Sequence, residues 1–263
     1  MKVLVAMHKS TRLPKDPVYL PVQVGAALHP PLVMPGIRRD NEGESISAKN
    51  PNYCELTALY WGWKNVPCQY LGLVHYRRYF ASIHREKNPW QRIASQPELE
   101  RILEQTGVVL PKKRHYWIET NYSQYIHAHH AQDLHQTRAI LERKWPDYLP
   151  AYDRVMKRTS GHRFNMFIMR RDLLDAYCSW LFDLLFTLEQ ELDISQYSPN
   201  DARVFGFVSE RLLDVWLETN QIDYREMPVI FTEPQNWLKK GGAFLRRKFF
   251  GKKALSNFGQ VLC

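Results

Sequence analysis

Tyr70-Leu71-Gly72-Leu73-Val74-His75-Tyr76-Arg77-Arg78-Tyr79-Phe80 opens as a short apolar run and closes in charge and aromatic rings. A short run without polar alternation is the pattern of a strand buried on both faces of a sheet. Ligands of open α/β sheets sit at the carboxyl ends of such strands, and here the strand empties at once into an imidazole and two guanidiniums. Guanidinium forks match phosphate oxygens in bidentate geometry, and tyrosine rings stack on a base or sugar or hydrogen-bond to it. Read as extended chain, the run points His75, Arg77 and Tyr79 one way and Arg78 the other.

Residues 3–7 repeat the pattern, an apolar run ending in His8-Lys9-Ser10. Further short strands are expected at 107–110, 164–169 and 228–231. Between them lie helical patterns. Residues 52–63 place Leu56, Leu59, Tyr60 and Trp63 on one face, with Asn52 as cap and Pro67 barring continuation. Residues 86–105 read as partly helical and 120–143 as a polar helix. Residues 171–192 carry an apolar stripe through Leu174, Cys178, Leu181, Leu185 and Leu188. A last helix, capped by Ser198 or Asn200, runs through Trp216. Residues 11–50, rich in Pro and Gly, read as a long loop with one short element near 22–28. Such alternation predicts an α/β fold. The expected division is one domain over 1–236, with a donor side at about 1–115 and an acceptor side at about 116–236, followed by a tail at 237–263.

The 263 residues carry a formal net charge of +9, which favours phosphate-bearing or polyanionic partners: nucleic acid, an anionic membrane, or nucleotide-linked substrates. Cys54, Cys68, Cys178 and Cys263 form no CxxC pair, a usage that fits a reducing compartment. The N-terminal segment is charged too early for a signal peptide, and no segment approaches the roughly 20 apolar residues that span a bilayer. The expectation is a protein neither exported nor integral to the membrane. Without GxGxxG, GxxxxGK[ST] or GxSxG, the sequence supports no dinucleotide, P-loop or nucleophile-elbow chemistry.

Two carboxylates, Asp201 and Glu210, flank Arg203, and either suits a general base for an acceptor hydroxyl. The alternative for Glu210 is an ion pair with Arg203 or Arg211. His127, His129, His130 and His135 crowd one segment but form no HExxH, so they read as a surface that meets an acidic or sugar partner, not a metal site. The tail interleaves Lys239, Lys240, Arg246 and Arg247 with Trp237, Phe249 and Phe250. Cationic and large apolar groups together suit an anionic membrane surface.

Several stretches together resemble a known family: HKS at 8–10, DNEGESISAKN at 40–50, NYCELTALYWGWKN at 52–65, LGLVHYRRYF at 71–80, NMFIMRRDLLDAYCSWLF at 165–182 and RVFGFVSERLLDVWL at 203–217. The chain is similar to the bacterial capsular and exopolysaccharide biosynthesis proteins grouped as DUF4422, some assigned as galactofuranosyltransferases. The resemblance covers nearly the whole chain to about residue 240, with Ser45 standing where the family more often has Asn. It implies a GT-A-like nucleotide-sugar-binding sheet with flanking helices, a variant lacking the usual Asp-x-Asp motif. Where other GT-A enzymes place those metal-holding aspartates, this chain has His75-Tyr76-Arg77-Arg78, so the resemblance implies transfer with no required cofactor or metal. It implies a UDP-sugar donor, UDP-galactofuranose among the candidates, held by His8, Lys9, Asp40, Asn50, His75, Tyr76, Arg77 and Arg78. His162, Asn165 and Arg203 fall on the acceptor side. The acceptor implied is a lipid-linked oligosaccharide of capsule, exopolysaccharide or O-antigen synthesis. The enzyme would then be cytoplasmic, peripheral to the inner face of the cell membrane, and not a nucleic-acid binder. The rival readings are a nucleic-acid-binding protein, which the charge and the aromatic-basic interleaving favour, a non-catalytic scaffold of the same pathway, and a same-fold enzyme with a pyranose donor.

Overall fold

The computed structural model describes residues 1–233 apart from Arg85 and Trp117. The expected membrane contacts at Trp237, Lys239, Lys240, Arg246, Arg247, Phe249 and Phe250 lie outside the described residues. The strands are β1 (Lys2–Met7), β2 (Tyr19–Gln23), β3 (Arg38–Arg39), β4 (Tyr70–His75), β5 (Arg78–Phe80), β6 (Val108–Pro111), β7 (Arg114–His115), β8 (Ser160–Gly161), β9 (Phe167–Arg170), β10 (Arg225–Met227) and β11 (Val229–Phe231). The helices are α1 (Asn50–Tyr53), α2 (Leu56–Asn65), α3 (Gln96–Leu103), α4 (Asn121–Ile126), α5 (Ala131–Lys144), α6 (Leu149–Lys157), α7 (Arg171–Glu191) and α8 (Val204–Thr219).

The two apolar runs are neighbours. β1 lies parallel between β2 and β4, with Val3, Leu4 and Val5 opposite Gly72, Leu73 and Val74. The sheet order is β10-β6-β9-β4-β1-β2-β3, parallel except for β9, which runs antiparallel between β4 and β6. Strand side chains alternate between faces, and each face here has its own apolar layer, which is why these strands show no polar alternation. Leu4, Ala6, Leu71 and Leu73 pack with Leu59 and Trp61 of α2, Leu181 and Leu185 of α7 and Phe205 of α8. Val3, Val5 and Val74 pack on the other side with Tyr79, Leu99 and Leu103. At Gly62 a Cβ would collide with the Leu4 side chain, so a residue without one lets α2 lie close on β1.

The structure departs from the sequence expectations where the backbone turns. The helix read at 52–63 is two helices, parted at Cys54 with φ 53° and ψ −127°. Within the supposed loop 11–50, β2 takes up Tyr19–Gln23, disguised by Pro21, and β3 continues the sheet. β9 starts three residues later than expected because Phe164 and Asn165 have φ of 78° and 51°. α8 starts at Val204 after a 3-10 turn over Asp201–Arg203. α6 and β10 had no expectation. No helix among the described residues is long and apolar enough to cross a membrane.

Candidate functional site

The decisive stretch does not run on as extended chain. Tyr76 and Arg77 form a tight turn, and β5 returns so that His75 pairs with Arg78. Directly opposed residues of an antiparallel pair share a face. His75 and Arg78 therefore stand together, which corrects the alternation expected from sequence. β11 adds a third strand to the hairpin, with Phe231 opposite Arg78 and Val229 opposite Phe80. Tyr79 is wholly buried against Tyr19. Tyr76 is 5% exposed, too covered to stack on a ligand. It serves instead as a platform: the His8 ring meets it edge-on at 5.3 Å, with the Lys9 ammonium at 5.3 Å and the Arg77 guanidinium at 5.1 Å from its centre. The parallel pairing of β1 and β4 thus delivers three of the expected donor-binding residues to one spot.

Glu55, which the sequence reading passed over, joins them from the break between α1 and α2. Its Oε1 accepts a hydrogen bond from Asn165 Nδ2 at 2.6 Å and lies 3.8 Å from His75 Nε2. Asn165 is itself fixed, donating to the Gly206 carbonyl at 3.1 Å and accepting from Ser209 Oγ at 2.9 Å. His75 Nε2 is 2.8 Å from the Phe164 carbonyl. A carbonyl only accepts, so Nε2 carries the proton. Glu210 accepts from the Phe164 amide at 3.2 Å and pairs with Arg211 Nη1 at 3.3 Å, the ion pair weighed as its alternative role. The guanidiniums of Arg78 and Arg114 both stand over the Phe164 ring, 4.4 and 5.5 Å from its centre. Arg203 donates from Nε to Cys54 Sγ at 3.1 Å. Cys54, Phe164 and Asn165 all have positive φ, a conformation that costs non-glycine residues on the order of 1 kcal/mol or more and that gathers at working sites.

Burial governs the protonation states. It drives the His75 pKa down to about 3, with Arg78 adding to the effect, so this imidazole is neutral at neutral pH. Burial pushes the Glu55 carboxyl above its ordinary value, opposed by the Asn165 bond and reinforced by nearby Glu210. His8 is lowered by desolvation and then by Arg77, Lys9 and Arg203. The outcome is neutral imidazoles and a carboxyl with a raised pKa amid the cations Lys9, Arg77, Arg78, Arg114 and Arg203. Lys9 and Arg77 converge on Glu233, at 3.3 and 3.6 Å.

Other expected residues stand elsewhere. Asp40 is wholly buried, accepting from the Gly25 and Ala26 amides at 2.8 and 3.0 Å and from Ser47 Oγ. It shapes the turn after β2, where Gly25 has φ 64°, and presents no oxygen to a ligand. Asn50 braces the Cys54 break, donating to the Cys54 carbonyl at 2.8 Å. Asp201 lies in a separate cluster with His129 and His130, at 3.4 and 3.5 Å. Their rings stack on Phe207 and Tyr197. His127 pairs with Glu119. His162 is 1% exposed, between Asp214 and Glu226, too deep to meet an acceptor. Among the described residues, no three His, Cys, Asp or Glu side chains are grouped to hold a metal ion.

A mostly parallel sheet with an inserted antiparallel strand thus carries a cluster of cationic side chains at the ends of β1 and β4. Residues 2–221 match DUF4422, described as a domain of unknown function, and the chain belongs to that family. It is similar to the structure of WbbM, a bifunctional glycosyltransferase in its apo form, with a TM-score of 0.81 and 28% identity. The match covers 89% of this chain and 45% of that one, so the chain spans less than half of that relative's length. The architecture is that of a glycosyltransferase fold, the α/β class expected from the sequence. No curated protein sequence matches the chain.

Proposed function

We propose that this protein transfers a sugar from a nucleotide-linked donor to a glycan acceptor. The observation that carries the proposal is the Glu55 carboxyl, held by Asn165 3.8 Å from His75 at the end of β4 and pushed by burial above its ordinary pKa. Lys9, Arg77 and Arg78 hold the donor diphosphate, with Arg114 at the flank. The acceptor hydroxyl gives its proton to the Glu55 carboxylate and its oxygen attacks the anomeric carbon. The bond from that carbon to the diphosphate breaks, and the charge left on the departing oxygen falls on the guanidiniums. A carboxyl pKa raised by burial suits a general base. Asn165 fixes the oxygen that receives the proton. Neutral His75 keeps the Phe164 turn closed behind the site.

The donor we favour is a UDP-sugar, UDP-galactofuranose among the candidates, and the acceptor a lipid-linked oligosaccharide of capsule, exopolysaccharide or O-antigen synthesis. The inner face of the cell membrane is then the place of work. We infer that the cations replace a divalent metal. The support is the charge of Lys9, Arg77 and Arg78, which can neutralise a diphosphate as a divalent metal does. Purified protein with a panel of UDP-sugars and a membrane lipid extract, assayed with chelator and again with Mn²⁺, tests this. UDP release and glycan product in chelator support the full proposal. Turnover confined to Mn²⁺ retains the transferase and removes metal independence. Absence of both turnover and donor binding favours a non-catalytic role in the same pathway.

A further inference from the structure

Glu233 sits where an anion is expected. Its Oε1 is 3.3 Å from Lys9 Nζ and its Oε2 is 3.6 Å from Arg77 Nη1, so one carboxylate bridges two cations as a phosphate group would. The backbone delivers it there. β11 pairs with β5 up to Phe231, and Thr232 then donates from its amide to the Arg77 carbonyl at 3.2 Å and from Oγ1 to the Tyr76 carbonyl at 3.5 Å. The next residue falls over the turn that carries Arg77. The side chains of Lys9, Glu233 and Arg77 are 51%, 36% and 21% exposed, so water reaches both pairs, the Lys9 pair more than the Arg77 pair, and screens them.

We propose that Glu233 is an internal counter-anion that competes with a nucleoside diphosphate for Lys9 and Arg77, and that its return expels the diphosphate product after each transfer. The inference rests on the proposed function and adds a release step to it. One anion leaves as the other arrives, so the two cations are paired throughout and neither state leaves them facing each other alone. Product release limits the turnover of many enzymes, and a resident carboxylate speeds that step at the expense of affinity.

The test compares the wild-type chain with Glu233→Gln and Glu233→Ala, using UDP and inorganic pyrophosphate as calorimetric probes at low ionic strength, with thermal unfolding to show that the variants are folded. Losing two partly exposed ion pairs with the competitor is expected to tighten both probes roughly threefold to tenfold. UDP should become a correspondingly stronger product inhibitor, while kcat and the donor KM fall together. Wild-type binding of UDP that is unchanged or weakened in the Glu233 variants overturns the release role alone and leaves the carboxylate as a brace for Lys9 and Arg77. Failure of the wild type and both variants to bind either probe overturns the inference together with the nucleotide-sugar reading.

Discussion

Two regions of this molecule are built from similar side chains, histidines beside carboxylates, and they differ in what surrounds them. In the second cluster Asp201 lies 3.4 Å from His129 and 3.5 Å from His130, whose rings are stacked on Phe207 and Tyr197, and His127 has Glu119. At the strand ends, His75 and Glu55 stand 3.8 Å apart, yet each answers first to something else: His75 to a backbone carbonyl, Glu55 to an amide nitrogen. Burial there favours the neutral forms of both. The lesson is that paired acid and base groups satisfy one another and become structure. Groups held apart by strained backbone, with cations close by, keep their capacity to react.

The sharpest way to break that contrast is to neutralise one carboxylate in each region. Glu55→Gln is expected to lower turnover about 10²- to 10⁴-fold, the range of a general base, while binding of the donor nucleotide persists. Asp201→Asn is expected to alter turnover less than about tenfold. Reversal of that order in initial-rate assays would return the base to the residue first picked from sequence. The pH dependence should agree. The rate should rise with pH through a limb above the ordinary carboxylate range, because Glu55 must lose its proton to act.

Stability sharpens the contrast from the other side. The unfolded chain takes up a histidine proton near pH 6.5, whereas the folded protein keeps His75 neutral down to about pH 3. Acidification through that window therefore favours unfolding, and by pH 5 this ring alone costs about 2 kcal/mol. Glu55 acts in the opposite sense, since its raised pKa lets the folded state bind a proton first. The difference between wild type and His75→Gln in denaturant melts at pH 7 and pH 5 isolates the imidazole. The smallest effect is expected in the second cluster. His130→Ala removes a partly exposed contact with Asp201 and a ring stack, for about 1 kcal/mol or less at pH 7, with turnover unchanged.

Much of this was legible in the residues, for identifiable reasons. The runs at 3–7 and 70–75 are apolar without alternation because both faces of the sheet are covered, and the stripe of α7 keeps helical spacing over its whole length. What stayed hidden depends on backbone that side-chain type does not announce. Cys54, Phe164 and Asn165 adopt positive φ without a glycine to mark the place, so a broken helix read as continuous and a strand start was set too early. The Tyr76-Arg77 turn also lacks glycine, and a hairpin read as extended chain. Pro21 masked β2. Glu55 did leave one signal: it is the only acid between Glu44 and Glu86, a lone carboxylate in a stretch that also holds Lys49, Lys64, Arg77 and Arg78. Asp40 shows the converse, a residue of binding type whose oxygens the fold consumes in shaping a turn.

The last described strand also has a mechanical consequence. β11 joins the molecule at β5, so a load on the chain beyond Glu233 arrives first at the hairpin that holds Arg77 and Arg78. The central strands, clamped between two apolar layers, would feel it only afterwards. Tension on whatever follows residue 233, from a tethered module or an anchored surface, would open the cation cluster before it threatened the fold.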